Sequence, residues 1–178
     1  MPTTVSIPRP EAGEHIEYYA RYIANAPGDD ALEALRATGE SLLGLMKDVR
    51  ESQALHRYAP DKWSVKEVLN HITDGERVFG YRALRFARED RTPLPGFDET
   101  AWAPAARSDQ RPLVEIIEEF RAVRAASVAL FGSFDGVALM RRGEANQCVI
   151  SVRALAWIIA GHSRHHEVLL RERYGLGR

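Results

Sequence analysis

The sequence of 178 residues contains a single cysteine, Cys148, so no disulfide can form within the chain. Secreted proteins of modest size commonly carry several paired cysteines, and their absence favours a reducing compartment, which we predict to be the cytoplasm. Residues 1–10 contain no apolar run, and the longest run, near residues 154–161, is far shorter than the roughly 20 residues of a membrane helix. We therefore expect neither a signal peptide nor a membrane partner.

The sequence also lacks an excess of charge of either sign, since 24 lysines and arginines face 25 aspartates and glutamates. Nucleic-acid-binding domains normally show a clear basic excess, so we expect no nucleic acid partner. A glycine-rich phosphate loop, a nucleophile elbow and a CxxC pair are missing too, which excludes nucleotide-driven, serine-hydrolase and thioredoxin chemistry. With 45% hydrophobic and 28% charged residues, residues 1–178 are typical of one globular domain.

We find no run in which β-branched residues alternate over a strand's length, and the sequence predicts an all-α fold. The clearest helix start is at Ser64, which forms a capping box with Glu67. Glycine and proline mark two long loops and the helix ends. The five helices that we predict occupy approximately residues 14–26, 30–49, 64–88, 112–131 and 151–174.

Four long helices and one short N-terminal helix favour a four-helix bundle. The two long loops each contain about twenty residues, and an extended chain of that length spans up to roughly 66 Å. Either loop is therefore long enough to return along a neighbouring helix. Parallel neighbouring helices are possible, and a simple up-down-up-down order is not required.

Two of the six histidines, His162 and His166, lie in the middle of the apolar stripe of the last helix. Their spacing of four residues places both imidazoles on one face, one turn apart. Such a pair can bind one transition-metal ion, or both rings can be core residues bonded to backbone carbonyls. Burial of two unsatisfied rings costs several kcal/mol, which a metal would offset. His165 lies at the edge of the stripe, and whether it replaces His166 as a ligand stays open.

The candidate third ligand is His71, which lies on the flank of the apolar stripe of the third predicted helix, residues 64–88. A partly exposed polar residue would show the same pattern. Asp74 and Arg82 share this flank and are our candidate catalytic residues. Asp74 could accept the free ring N–H of His71, or it could be a surface carboxylate beside Arg77 or Arg82. Arg82 could bind an anionic group of a substrate, or it could pair with a neighbouring carboxylate.

The remaining unusual residues favour no chemistry of their own. His15 and His56 are interpreted as surface histidines, and Cys148 has no basic neighbour in sequence that would make it a nucleophile. Trp63 precedes the helix that carries His71, where core packing is the simplest role. Trp102, in the proline-rich loop, either covers the bundle or lines a dimer interface.

Several segments together resemble the DinB-like family, also described as the YfiT-like metal-dependent hydrolases. The similarity is strongest in KWSVKEVLNHI at Lys62 to Ile72, followed by Asp74 and Glu76-Arg77. The resemblance to the family covers nearly the whole chain. The other matching segments are YYARYI at 18–23, RALR at 82–85, PLPGFD at 93–98, SVRALA at 151–156 and the run from Gly161 to His166.

The resemblance implies a bundle in up-down-down-up order and one divalent metal ion per chain, zinc or nickel, held by His71, His162 and His166. Many members of the family are homodimers. Members with assigned activities include bacillithiol-dependent S-transferases and mycothiol-dependent isomerases. A small-molecule substrate, a low-molecular-weight thiol, and hydrolase or thiol S-transferase activity are thus implied. The alternative is a non-catalytic bundle that binds a metal or a small ligand in a stress response.

Two residues depart from the family pattern. Ser163 stands where the closest relatives have glutamate, and Gln147 stands where glycine usually follows Ala145-Asn146. Neither residue is an expected ligand. We therefore expect these departures to affect the rim of the pocket and not the metal.

Overall fold

The computed structural model describes residues 6–177 of the chain, and these residues are mainly helical. The long helices correspond to the four that the sequence predicts, and a short helix precedes them, which confirms the all-α fold class. The elements in chain order are α1 (Glu17–Asn25), α2 (Ala31–Met46), α3 (Glu51–Ala54), α4 (Val65–Ala87), α5 (Glu99–Ala105), α6 (Leu113–Gly132), α7 (Gly136–Met140), β1 (Arg142–Ala145), β2 (Cys148–Ser151) and α8 (Val152–Glu172).

None of the helices between residues 6 and 177 is both long enough and apolar enough to cross a membrane. The prediction that residues 1–10 hold no signal peptide concerns a segment of which residues 1–5 lie outside the described part of the chain.

Local capping explains where the long helices begin. The Ser64 hydroxyl accepts from the backbone N–H of Glu67, and the Glu67 carboxylate accepts from the backbone N–H of Ser64, as the predicted capping box requires. At the start of α2 the Asp30 carboxylate accepts from the backbone N–H of Leu32, and at the start of α8 the Ser151 hydroxyl accepts from that of Ala154. These starts depend on neighbours within three residues, which is why the sequence reveals them.

Helices α4 and α6 are parallel neighbours in the bundle. Lys66, near the start of α4, donates to the carbonyl of Arg111, just before α6. Further along both helices, Arg77 pairs with Glu119 at 2.6 Å. The chain must therefore return along the length of α4 between residues 88 and 112, and it does so as an extended segment that contains α5.

Helix α8 completes the bundle between α4 and α2. It is antiparallel to α4, because the Tyr174 hydroxyl, just after α8, donates to the carbonyl of Trp63, just before α4. It is parallel to α2: Leu32 shares a core cluster with Trp157 at the helix starts, and Ser41 donates to Glu167 near their ends. The four long helices α2, α4, α6 and α8 therefore run up, down, down and up.

The second long loop, residues 133–151, differs from the prediction because it contains α7 and an antiparallel hairpin. In this hairpin Ala145 pairs with Cys148, so Asn146 and Gln147 form a two-residue turn. Both have positive φ, 51° and 61° respectively. Such turns usually contain glycine. With glutamine at the second position, the usual sequence signal of a hairpin is missing, and the loop was not predicted as strands.

Two buried arginines of the bundle are each held by a buried carboxylate. Arg124 on α6 donates to both carboxylate oxygens of Glu76 on α4, at 2.9 to 3.1 Å. Arg153 on α8 donates to Glu14, whose side chain also accepts from the Ser151 hydroxyl. Burial raises the pKa of Glu14, but the hydrogen bonds from Arg153 and Ser151 outweigh it, and the pKa falls to about 2.

We predict that Glu14→Gln lowers the free energy of unfolding at pH 7 by about 3–5 kcal/mol, because it leaves the buried charge of Arg153 with only an exposed carboxylate, that of Glu11, nearby. Urea denaturation measures this loss. The matched control is Glu11→Gln, since Glu11 lies 3.8 Å from the same arginine but is 85% exposed. We expect this control to lose less than about 1 kcal/mol.

The ion pair of Glu14 and Arg153 also predicts how the free energy of unfolding depends on pH. The pKa of Glu14 is lower in the folded protein than in the unfolded chain, so its stabilising effect is complete above about pH 4.5 and is lost as the pH falls towards 2. The stability difference between wild type and Glu14→Gln should narrow across this interval. A difference that stays constant from pH 5 to pH 2 would contradict the assignment.

Candidate metal centre

Three histidine side chains from two helices converge on one point. The Nε2 atom of His162 on α8 lies 3.0 Å from Nε2 of His71 on α4 and 3.1 Å from Nε2 of His166. One ligand atom from each of the three residues lies within 4.8 Å of the others. His165 is outside this cluster and packs its ring on Tyr22, at 5.5 Å. The structure therefore brings together the three predicted ligands, with His166 and not His165 as the third member.

Close packing of the helix backbones brings the rings together. A Cβ atom on Gly75 of α4 would lie 3.3 Å from Cε1 of His162, so glycine leaves room for the ring. A Cβ atom on Gly161 would lie only 1.7 Å from the backbone oxygen of Tyr22. Helix α1 thus rests directly on the backbone of α8, which places the Tyr22 ring 5.4 Å from the ring of His162.

The three imidazoles are neutral at pH 7. His162 and His166 are 7% and 9% exposed. Burial, and secondarily the neighbouring histidines, hold the pKa of both rings well below the usual value. Burial also lowers the pKa of His71, to about 4. Neutral imidazoles are the form that binds a metal ion.

The hydrogen bonds of the cluster fit a metal site better than a set of core histidines. Within residues 6–177, the side chains of His71, His162 and His166 make hydrogen-bond contacts only with one another, and Nδ1 of His166 is buried without a partner. No backbone carbonyl satisfies them. Three nitrogens at the usual zinc distance of 2.0–2.1 Å would be separated by roughly 3.3 Å in a tetrahedral site, close to the 3.0 and 3.1 Å that separate His162 from the other two rings. The cluster thus fits a divalent metal ion.

A cavity of about 390 Å³ opens beside the cluster, and His71 and His162 form part of its wall. Five aromatic residues of α1, α4 and the return segment form much of the remaining wall, and the hairpin contributes Asn146 and Cys148. Of the described residues that line it, Glu99 alone carries a carboxylate. The aromatic residues of the wall are Tyr18, Tyr19, Tyr22, Phe79 and Phe97.

Asp74 does not contact the imidazole of His71. Its carboxylate accepts from the side-chain amide of Asn70 at 2.7 Å and lies 3.6 Å from Arg77. The interpretation of Asp74 as a partner for the ring N–H is therefore corrected: the tilt of its side chain brings it to Asn70 and Arg77 on its own helix. The alternative, a carboxylate beside Arg77, agrees with the structure.

Arg82 lines the cavity, as its position on the flank of His71 suggested, and it is only 2% exposed. Its pairing with a neighbouring carboxylate, the other interpretation, is not found: among the described residues no acidic side chain lies within ion-pair distance of it. Its Nη2 atom donates to the carbonyl of Pro95 at 3.0 Å.

Several residues of the site were not recognised in the sequence. Glu99 is the first residue of α5, a helix capped by Asp98, and its charge raises the pKa of His71 against the larger effect of burial. The capping pattern could have revealed the helix, but not what it faces. Trp63 packs its ring 4.8 Å from that of His71, and Cys148 lies in the cavity wall.

Comparison with known proteins agrees with this geometry. The family model of the DinB superfamily matches residues 34–167. Among solved structures the chain is similar to YfiT from Bacillus subtilis, with a TM-score of 0.70, 18% identity and 93% of each chain covered. That protein is described as "a probable metal-dependent hydrolase with an unusual four-helix bundle topology". At this identity the likeness establishes the fold. No curated protein matches the sequence.

We predict that Gly75→Ala shifts the His162 ring by a few tenths of an ångström, because the new methyl group would contact Cε1. The matched control is Gly80→Ala on the same helix, where a Cβ atom meets nothing within 4 Å. The imidazole NMR signals of His162 should move in the first variant and stay in place in the second. Gly80→Ala should also gain about 0.5–1 kcal/mol of stability from helix propensity. Equal spectra for both variants would contradict the packing described here.

Proposed function

This chain belongs to the DinB superfamily, and we propose that it is a metal-dependent enzyme in which His71, His162 and His166 hold one divalent ion, zinc or nickel. The observation that carries the proposal is the convergence of three neutral imidazoles at one point, with those of His71 and His162 in the wall of an open cavity. Catalytic zinc sites commonly use three protein ligands and leave one position for the reacting molecule. Structural sites are closed by four protein ligands, and the histidine cluster offers three.

A divalent ion at this position supplies Lewis acidity, which activates water or a thiol for attack. The residues of the chain perform the other tasks. Glu99 provides the carboxylate that takes the proton from the attacking water or thiol. Tyr22 of α1 and Phe79 pack against the neutral imidazole of His162 and limit the access of bulk water to it.

The reaction is hydrolysis of a small molecule or transfer of a low-molecular-weight thiol. A cavity of about 390 Å³ is of a size that binds a metabolite and not a polymer. The similarity to YfiT supports hydrolysis, and the assigned activities of the resembling family support thiol transfer. We further propose that the protein is cytoplasmic, as the single cysteine suggests, and that it forms a homodimer, as the resemblance to the family implies.

Elemental analysis of untagged protein tests the metal. We expect about one zinc or nickel ion per chain in wild type and a large loss in His162→Ala, because each imidazole supplies one of three protein ligands. The control is His165→Ala, which alters a neighbouring histidine outside the cluster and should keep the metal. Zinc at 100 times its dissociation constant should also raise the free energy of unfolding of wild type by about 2.7 kcal/mol.

Wild-type protein that binds no metal after incubation with zinc and with nickel would refute the proposed site. Equal metal content in wild type and His162→Ala would place the ion elsewhere in the chain.

A panel of thiols with electrophiles, and of small hydrolysable esters and amides, tests the activity. We expect wild type to turn over at least one member, His71→Ala to lose both metal and activity, and Glu99→Gln to keep the metal but lose at least tenfold in rate, since a general base typically contributes 10²–10⁴-fold. Tight metal binding without turnover and without an exchangeable position would favour the alternative, a non-catalytic metal- or small-ligand-binding bundle.

A further inference from the structure

Arg82 differs from the other buried cations of the described chain. Four lysine and arginine side chains are almost fully buried, with Arg82 and Lys66 each 2% exposed. Three of the four have a carboxylate partner: Lys66 pairs with Glu51, Arg124 with Glu76 and Arg153 with Glu14. Arg82 has no carboxylate partner among residues 6–177 and lies in the wall of the cavity that contains His71 and His162.

The immediate surroundings of Arg82 are mainly aromatic. Its guanidinium carbon lies 5.7 Å from the ring centre of Phe79 and 5.9 Å from that of Phe97. The hydroxyl of Tyr19 is a neighbour, and burial raises the pKa of that hydroxyl, so it stays neutral at pH 7. The carbonyl of Pro95 accepts one hydrogen bond from Nη2. These groups orient the guanidinium without neutralising its charge.

A buried charge without a partner is costly, and proteins normally pair it or avoid it. A structural arginine in this bundle would be expected to have a carboxylate, as Arg124 and Arg153 have. The bond to Pro95 alone would need only a neutral donor. The positive charge of Arg82 at the cavity wall therefore suggests that its partner is an anionic group of a bound ligand.

We propose that Arg82 binds a carboxylate group of the substrate or of the thiol co-substrate and so determines which small molecules react at the histidine cluster. The inference rests on the proposed function, since it assigns a specificity residue to the same cavity. A single guanidinium matches the single charge of a carboxylate and can bind both of its oxygens in a planar, bidentate manner. A phosphate dianion would require more positive charge than this wall provides.

The spacing of Gly75 and Arg82 along α4 gives the approximate length scale of the ligand. Gly75 touches His162, and Arg82 follows seven residues later, which corresponds to roughly 10 Å along the helix axis. A ligand with its reacting group at the cluster would thus carry its carboxylate about eight bonds away. An ω-mercapto fatty acid of medium length is a simple probe of this arrangement.

The first experiment measures binding of 8-mercaptooctanoate and 8-mercaptooctanol to cobalt-loaded protein, followed by the thiolate-to-cobalt absorption band. We expect wild type to bind the acid at least tenfold more tightly than the alcohol. Arg82→Met should abolish this preference while it changes the affinity for the alcohol by less than twofold. Arg82→Lys should keep part of the preference, because it retains the charge but not the planar fork.

The second experiment needs no metal, so it separates this inference from the proposed function. Metal-free protein labelled with ¹⁵N-arginine is titrated with octanoate and with octanol, and the side-chain signal of Arg82 is assigned by its loss in Arg82→Met. We expect octanoate to shift this signal and octanol to leave it unchanged. A wild type that binds no cobalt but shows this shift would refute the metal site and support the carboxylate site.

Thermal unfolding distinguishes a ligand-binding arginine from a structural one. Arg82→Met removes an uncompensated buried charge and should keep or raise the melting temperature. The matched control Arg124→Met leaves Glu76 buried and unpaired and should lower it. The inference is overturned if acid and alcohol bind wild type equally, if the preference survives in Arg82→Met, or if Arg82→Met loses as much stability as Arg124→Met.

Discussion

The packing of α4 against α8 at Gly75 and His162 determines where the rest of the site lies. The two helices are close enough that the imidazole of His162 occupies the space beside the glycine, and this approach brings His71 within 3.0 Å of the same ring. Helix α1 packs on α8 at the adjacent residue, Gly161, and brings Tyr22 onto the ring of His162. The cavity is the space that remains between these three helices and the return segment, so its walls follow from two glycines.

The parallel arrangement of α4 and α6 supplies the fourth wall. Because both helices run in the same direction, the chain between them must return along the length of α4. This return segment contacts α4 at more than one point. Pro95 lies at Arg82, and Glu99 lies near His71. In an up-down-up-down bundle a short turn would replace this segment, and the cavity would lack its carboxylate. The unusual helix order is thus a requirement of the site.

The sequence predicts those features that depend on neighbours a few residues apart. The capping box at Ser64 and the shared face of His162 and His166 are of this kind, and both are present. The sequence does not predict the hairpin, because its turn has glutamine, Gln147, at a position of positive φ where glycine is usual. The environment of Asp74 and the lack of a partner for Arg82 depend on segments distant in sequence. A local sequence pattern does not indicate whether a residue distant in sequence will place its carboxylate beside a given side chain.

The two ends of the cavity differ in charge, and this difference gives a bound molecule a direction. At one end the imidazoles are neutral because burial disfavours their charged form, so an anion gains nothing there before a metal ion is bound. At the other end Arg82 keeps its proton and, among residues 6–177, has no carboxylate partner. In the proposed arrangement, a substrate with one carboxylate would be held by that group at the arginine. Its uncharged reacting end is then the part that reaches the histidines.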